Sequence, residues 1–503
     1  MSWTEGAHAI EIPVDVPDRI QTELDDILAL QRRAFLADGP PGASARCNRI
    51  DRLLALLLDN TDAFVDAMAA DFGTRSRAAS LFTEVVGIIP VIEHTRSHVA
   101  QWMQSTKLMR AARVLGIRAE VEPTPLGVVG IIGPWNFPLN LVILPAAAAF
   151  AAGNRVMIKM SEITSRTAQL MAELAPQYFD TAELAVVTGG REVAAAFTRL
   201  PFDHLFFTGS PDIGVLVQQA AARHLVPVTL ELGGKNPVVV AEDADIARAA
   251  RRVASARMVN GGQVCVCPDY VFVPRDKIEA FLETARRTLR EMFPTVLTND
   301  DFCSCVNEPN YDRVLGLVDD AYVKGASVEA IAPEAELLPD RASRKIAPTI
   351  IHGVDDRMRI TSEEIFGPVL VVMGYSTLTE VIDYVNRRPA PLVAYWYGPD
   401  GDDFQAFVRS TRSGGVARND FAAQMIPSAA PFGGVGRSGM GAYHGKAGFD
   451  AFTHYRSVVG SDLPFSITGT ASPPFRAPMK LYADATLRMA RNRTRRRLKG
   501  MTR

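Results

Sequence analysis

From about residue 128 the chain alternates short apolar runs with helical stretches, and this alternation limits the folds it can adopt more than any other feature. Runs at 128–132, 156–158, 185–187, 204–207 and 228–232 read as strands, with helices at 164–175 and 211–223 between them. Consecutive strands joined by helices build a parallel sheet covered on both faces, so the expected fold class is α/β. A second alternation follows, with strands at 237–241, 270–273, 346–351 and 369–373 and helices near 244–258, 276–292 and 377–387. Two α/β domains are therefore expected, in keeping with a chain of 503 residues. Upstream, Ile20, Leu24, Ile27 and Leu28, then Ile50, Leu53, Leu54, Leu57 and Leu58, mark buried helical faces. The basic, then alternating, segment 110–122 is expected to form a projecting β-arm.

Charge is distributed unevenly. The 54 basic and 56 acidic side chains leave a net charge of -2, yet residues 476–503 hold ten Lys/Arg and one acid, Asp484. An acidic body is not a nucleic-acid binder, so a role on polyanions or membranes would reside in that tail. Four prolines within 461–478 suggest that the chain leaves the body there, and 479–499 reads as a basic helix with Leu481, Tyr482, Ala485 and Met489 on one side. A solvated or subunit-packed tail is the favoured reading, with peripheral contact on anionic lipid as the alternative. Residues 1–16 show no secretory signal, and the apolar stretch 127–153 is interrupted by Pro134, Asn136, Pro138, Asn140 and Pro145, which argues against a membrane span. Five cysteines are too few for a disulfide framework, so a cytoplasmic location is expected.

Three segments carry side chains suited to chemistry. Cys265 lies in a glycine-rich stretch between a helix and a strand, where a nearby helix N-terminus would lower a thiol pKa; the bland alternative is a buried structural thiol. Glu231 ends an apolar strand before two glycines, a partly desolvated place that suits a general base, although a surface carboxylate fits the segment equally well. Asn136, in a loop stiffened by Pro134 and Pro138, offers an amide to a developing oxyanion, or merely forms a turn.

Taken together, GPWNFP at 133–138, KMSE at 159–162, FTGS at 207–210, ELGGKNP at 231–237, GQVC at 262–265, EEIFGPV at 363–369 and the long run at 431–454 resemble the aldehyde dehydrogenase superfamily in order and spacing. The late YHGK and FTH elements look most like its class 3 branch and the bacterial coniferyl-aldehyde dehydrogenase-like members. The resemblance implies a doubly wound cofactor domain, an α/β catalytic domain and a β-arm used for oligomerisation. Residues 1–230 would form the dinucleotide-binding part, 231–415 the thiol domain, 416–460 a return with an active-site closing loop, and 461–503 the extension and tail. It further implies Cys265 as nucleophile, Glu231 as general base and Asn136 as oxyanion donor. The reaction would pass through a thiohemiacetal that loses hydride to the cofactor and a thioester that water hydrolyses, with no metal required.

By the same resemblance the cofactor would be held by Trp135, Lys159, Glu162, Gly209, Ser210, Gly214, Glu364 and Phe366. Gly209 to Gly214 opens a helix suited to a pyrophosphate. Glu162 near the ribose 2′ position favours NAD, with NADP admitted. Expected partners are an aldehyde, of coniferyl-type aromatic or medium-chain aliphatic character, and a second subunit in a homodimer or tetramer. The rival reading is a cysteine hydrolase or acyltransferase that uses Cys265 and Glu231 without redox chemistry.

Other patterns carry less. Gly434 to Gly439 fits G-x-G-x-x-G but lacks the flanking strand and helix, so it reads as a closing loop. Asp71 to Gly73 reads as a helix end, and His94 with His98 as an exposed helix face. The pairs Cys265/Cys267 and Cys303/Cys305 have one residue between them, shorter than usual zinc spacing. Cys267 would be placed to protect Cys265 through a reversible disulfide, and Arg418 would lie either near the substrate or in a subunit contact.

Overall fold

A computed structural model describes residues 16–110, 113, 116–464, 466, 469, 472–475 and 477–500. The leader reading of 1–16 thus falls almost wholly outside the described residues, as do parts of the expected arm and the last three residues of the tail. The chain divides into two units, Met1–Met103 with Thr124–His454, and Gln104–Pro123 with Tyr455–Arg503.

The first unit contains two sheets. In the first sheet the order is Gly439–Met440, Val228–Leu232, His204–Gly209, Val128–Ile132, Arg155–Lys159 and Leu184–Val187. All neighbours run parallel except Gly439–Met440. Val128–Ile132 and Arg155–Lys159 are buried along their whole length, which explains why they read as unbroken apolar runs. The chain starts in the middle at Val128–Ile132, adds two strands to one side, then crosses to the other at His204–Gly209. That reversal opens a crevice beyond the ends of these two strands, where ligands bind in open α/β sheets.

The second sheet has the order Ser327–Ala330, Thr349–His352, Val369–Tyr375, Pro268–Pro274, Asn236–Val240, Val393–Tyr397 and Gly415–Arg418, parallel except for its first pair. Ser327–Ala330, Val393–Tyr397 and Gly415–Arg418 are additional to the strands expected from sequence, and the strand expected at 346–351 is confined to Thr349–His352.

The apolar stretch after residue 139 is the helix Asn140–Ala152, apolar on every side and buried from Leu141 to Ala152. Its first turn is capped from a distance. Glu84 Oε2 accepts the Leu139 and Asn140 N–H groups at 3.2 and 2.8 Å, and Glu84 Oε1 pairs with Arg75 Nη2 at 2.7 Å. Arg75 Nη1 in turn donates to the Asn136 carbonyl at 2.9 Å, so one buried ion pair fixes both the helix start and the loop before it. The helical run Arg77–Trp102 is long and apolar enough to cross a membrane. It carries this buried Glu84, however, and sets Val91, Ile92 and Val99 in the main core, as a core helix does.

The second unit contains Thr106–Leu108 paired antiparallel to Ile117–Pro125, which also neighbours Thr453–Ser461. Arg456 Nη2 bonds Glu122 Oε2 at 2.8 Å across the latter pair. The chain is therefore held in a sheet through Ser461 before the helix Ala477–Gly500, in which Leu481, Tyr482 and Met489 are exposed.

Because both members of the Arg75–Glu84 pair are almost fully buried, Glu84→Gln leaves a guanidinium without its counter-charge and is expected to destabilise the protein by about 3–5 kcal/mol. Arg341→Ala, at a pair more than half exposed, should leave stability nearly unchanged because solvent screens the pair. Denaturant midpoints for the two variants check the contrast, and equal shifts would contradict it.

Candidate active site

A cavity of about 1500 Å³ receives the ends of the first sheet's strands and the loops of the second. Asn136, Glu231, Cys265 and Glu364 line it together, as do Trp135, Lys159, Glu162, Gly209, Ser210 and Phe366. Gly214 alone among the expected site residues does not line it; it is buried in the first turn of the helix Pro211–Ala222.

Cys265 is presented by an unusual turn. Asn260, Gly261 and Gly262 are successively left-handed, with φ of 49°, 63° and 76°. A side chain on Gly262 would meet the Gly367 carbonyl at 2.1 Å, so only glycine fits there. Gln263 locks the turn, donating to the Asn260 and Ser304 carbonyls at 2.9 and 3.0 Å and accepting the Val306 N–H at 3.0 Å. Beyond it, Asn236 Nδ2 donates to the carbonyls of Cys265 and Cys267 at 2.7 and 3.0 Å, and the Tyr395 hydroxyl donates to the Val266 carbonyl at 2.6 Å. No helix starts at Cys265, so the expected helix-terminus effect is absent. Burial, reinforced by Glu364 and Glu231, pushes the thiol up to about 12, while the Cys265 and Val266 N–H groups pull it down.

Glu231 is the penultimate residue of its strand, in register with Thr208 and Gly439. Its side chain is 3% exposed and neither carboxylate oxygen has a hydrogen-bond partner. Desolvation therefore raises its pKa well above the usual carboxylate range. Asn136 Nδ2 donates to the Gln263 carbonyl at 3.2 Å, while its own carbonyl accepts from Arg75 and Asn260. One amide hydrogen is thereby committed and the other remains available.

The opposite end of the cavity is built from the first sheet. Lys159 Nζ, almost fully buried, donates to the Met160 carbonyl at 2.7 Å and lies 3.8 Å from Glu162 Oε2. Ser210 caps Pro211–Ala222, its hydroxyl accepting the Ile213 N–H at 3.4 Å. Between the two ends, Glu364 is held up at about 8 by burial and Asp269, partly offset by the Gly234 N–H and Lys235. Trp135 meets Phe366 edge to face at 5.3 Å between centroids, and Phe366 holds a left-handed φ of 47°.

The sequence reading missed Tyr443, Asn236 and Lys235. Tyr443 lines the cavity, and Glu231 and Cys265 both push its phenol further up than burial alone. All three lie inside motifs already noted, but neighbouring letters carried the attention. Of the remaining patterns, the Gly434–Gly439 segment adds Arg437 to the cavity lining and the others lie outside it. Gly439–Met440 extends the sheet edge beside Val228–Leu232 as a short antiparallel strand. Gly73 is the C-cap of the helix Thr61–Phe72, and Asp71 takes the Arg166 and Thr167 N–H groups at 2.9 and 3.0 Å. His98 bonds the His94 carbonyl and stacks on Trp102. Cys303 bonds Asn260 Oδ1 at 3.4 Å. Cys267 is buried in the core with its thiol on the carbonyls of Ala256 and Arg257, an orientation that commits it to packing. Arg418 donates to the Gly398 carbonyl at 3.0 Å over the Phe404 ring.

Two largely parallel sheets sharing one cavity, lined by a thiol, an unpartnered carboxyl and a capped helix start, define a dinucleotide-dependent oxidoreductase. Residues 11–458 match the Aldehyde dehydrogenase family. Coniferyl aldehyde dehydrogenase of Pseudomonas sp. (strain HR199 / DSM 7063) is 44% identical over 92% of this chain and 94% of the relative. The dimeric NADP-preferring aldehyde dehydrogenase of Rattus norvegicus is 34% identical over 88% of this chain and 95% of the relative. The substrate-bound structure of Staphylococcus aureus AldH superposes with a TM-score of 0.85 at 32% identity, covering 92% of this chain and 99% of that one. The chain belongs to the aldehyde dehydrogenase family, whose members oxidise aldehydes with NAD or NADP. Nothing supports the non-redox rival.

A thiol held near 12 reacts through a small thiolate fraction that grows about tenfold per pH unit. Iodoacetamide labelling of Cys265 in the free enzyme, followed by mass spectrometry, is expected to accelerate about tenfold per unit, roughly a hundredfold in all, between pH 7 and 9 and to be faster in Glu364→Gln. A rate flat with pH above 7 would contradict the raised pKa.

Proposed function

We propose that this enzyme oxidises aromatic aldehydes of the coniferyl type, or medium-chain aliphatic ones, with Cys265 as nucleophile, Asn136 as oxyanion donor and Glu231 as base. The observation that carries this reading is the convergence of all three side chains on one cavity, with both Glu231 oxygens unpartnered. Trp135, Phe366, Phe432 and Tyr443 supply aromatic faces to that cavity, which suits a planar substrate, and the 44%-identical relative is named for coniferyl aldehyde.

The dinucleotide fits the other end. A Cβ on Gly209 would meet the Phe207 ring at 2.4 Å, which keeps that strand end bare, and the twelve-residue helix that follows directs its first-turn N–H groups outward. Ser210 and Gly214 shape this turn, Lys159 and Glu162 hold the adenosine ribose, and Glu364 with Phe366 and Trp135 holds the nicotinamide end. When bound, NAD or NADP supplies the hydride acceptor.

The protein's own steps follow from its groups. Cys265 passes its proton to the Glu231 carboxylate, and its sulfur adds to the aldehyde carbon. The oxygen becomes an alkoxide, met by the free Asn136 amide hydrogen and the Cys265 N–H. Loss of the aldehyde hydrogen with its bonding pair re-forms the carbonyl as a thioester. Glu231 gives the proton it took from Cys265 to the solvent and, again a carboxylate, takes a proton from water; the hydroxide adds, and the Cys265 thiolate leaves to release the acid. In this reading residues 1–230 carry the dinucleotide, 231–415 the thiol, and 416–460 close the site. A homodimer or tetramer pairs through the arm sheet, whose strand Thr106–Leu108 is an exposed edge. The tail remains solvated or subunit-packed, in a cytoplasmic protein.

A panel of aldehydes with NAD and NADP, followed by NADH or NADPH absorbance, tests the reading. Cys265→Ser is expected to abolish turnover. Glu231→Gln should lower kcat by about 10²–10⁴-fold, because hydrolysis of the thioester is left without its base. Undiminished turnover in Cys265→Ser would overturn the mechanism. Because the base works only as a carboxylate and burial holds its proton on, kcat should decline as pH falls through a pKa well above the ordinary glutamate range. A kcat constant down to pH 5 would remove Glu231 from that role.

A further inference from the structure

Resting on the dinucleotide reading above, a further residue at the adenosine end stands unused. Arg155–Lys159 and Leu184–Val187 are neighbouring parallel strands with Lys159 opposite Val187, so the chain leaves both at the same end of the sheet. From Val187 a turn through Gly189, with φ of 129°, and Gly190 delivers Arg191 to the cavity wall that also bears Lys159, Ser161 and Glu162. Arg191 is exposed and, among the described residues, its guanidinium has no protein partner.

The neighbouring charges are already engaged. Glu192, next in the chain, turns its carboxylate back to accept the Gly190 N–H at 3.2 Å, and its field reaches Lys159. Lys159 is pinned between the Met160 carbonyl and Glu162. Beside the engaged Lys159, Arg191 thus lines the cavity with its donors open. A guanidinium presents a planar fork that matches a phosphate with two parallel hydrogen bonds, and a compact, already bonded ammonium cannot.

We propose that Arg191 reads the 2′-phosphate of NADP and gives this enzyme dual cofactor use despite Glu162. With NAD, Glu162 accepts the ribose hydroxyls and Arg191 stays hydrated. With NADP, the phosphate dianion meets Glu162 at a repulsive position, and the paired Arg191 offsets that repulsion. The two residues approach from different chain segments, so neither excludes the other by occupying its place.

Adenosine-end probes isolate this contact. ADP and 2′,5′-ADP, isomers that lack nicotinamide and carry their second phosphate on the 5′-phosphate and on the 2′-oxygen respectively, are titrated calorimetrically into the full chain and into Arg191→Leu and Arg191→Lys. The full chain is expected to bind both. Arg191→Leu should weaken 2′,5′-ADP by about tenfold or more while ADP changes by less than about twofold, and Arg191→Lys should fall between. Unweakened 2′,5′-ADP in Arg191→Leu, an equal loss for both probes, or a full chain that binds ADP and refuses 2′,5′-ADP would each overturn the assignment to Arg191. Failure of the full chain to bind either probe would instead remove the dinucleotide reading itself, and the proposal with it.

Discussion

Lys235 joins the parts on which this active site depends. Its buried ammonium donates to Asp269 and to the carbonyls of Ile360 and Glu363 at 2.8 and 3.0 Å. Asp269, on the strand after the nucleophile loop, accepts the Ile365 N–H at 2.9 Å with its second oxygen. One ion pair therefore ties the turn after Glu231, the strand after Cys265 and the segment carrying Glu364 and Phe366. Burial pulls the Lys235 pKa down while Asp269 holds it up, and the carbonyls satisfy the remaining donors. A buried charge pair is tolerated when its hydrogen-bonding capacity is filled in this way. Its value here lies in geometry, because Glu231, Cys265 and Glu364 come from three separate stretches of chain.

Around that staple the protein leaves its reactive groups unsatisfied. Buried polar atoms ordinarily find partners, yet both oxygens of Glu231 have none, and Cys265 faces two carboxyl groups that disfavour its thiolate. Such an arrangement lowers stability and has no structural benefit. It becomes intelligible as preparation, since a desolvated carboxyl and thiol respond strongly to any cation or dipole brought into the cavity. The positive nicotinamide ring of the oxidised cofactor is such a charge.

The parallel cores were legible because burial on both faces writes strands as continuous apolar runs, as at Val128–Ile132 and Arg155–Lys159. Ser327–Ala330 was not, because it is a short, partly exposed edge strand without such a run. Val393–Tyr397 carried the signal, a buried Val-Ala-Tyr-Trp-Tyr sequence, but follows a Pro-rich turn that reads as loop. The cavity residues were legible as letters of known motifs, whereas their support was not. Asn236, Tyr395 and Gln263 act through contacts with residues up to 157 positions away, and such distances leave no local trace. The thiol pKa was misjudged for a related reason: proximity to a helix can be guessed from sequence, but burial among carboxyl groups cannot.

Backbone strain follows the same logic of over-determination. Asn260 and Phe366 hold left-handed φ values near the reactive end of the cavity, a conformation that disfavours most residues by about 1–3 kcal/mol. Each is fixed from outside. The Asn260 side chain donates to the carbonyls of Asn136 and Gln263, so the turn that presents Cys265 and the loop that presents Asn136 share one set of bonds. Phe366 makes its edge contact with Trp135, and its flanking carbonyls, Ile365 and Gly367, accept from Arg313 at 2.7 Å and Arg257 at 2.9 Å. Relaxing either residue would require breaking bonds on both sides of it. Cys265, Asn136 and the loop bearing Phe366 therefore cannot drift independently.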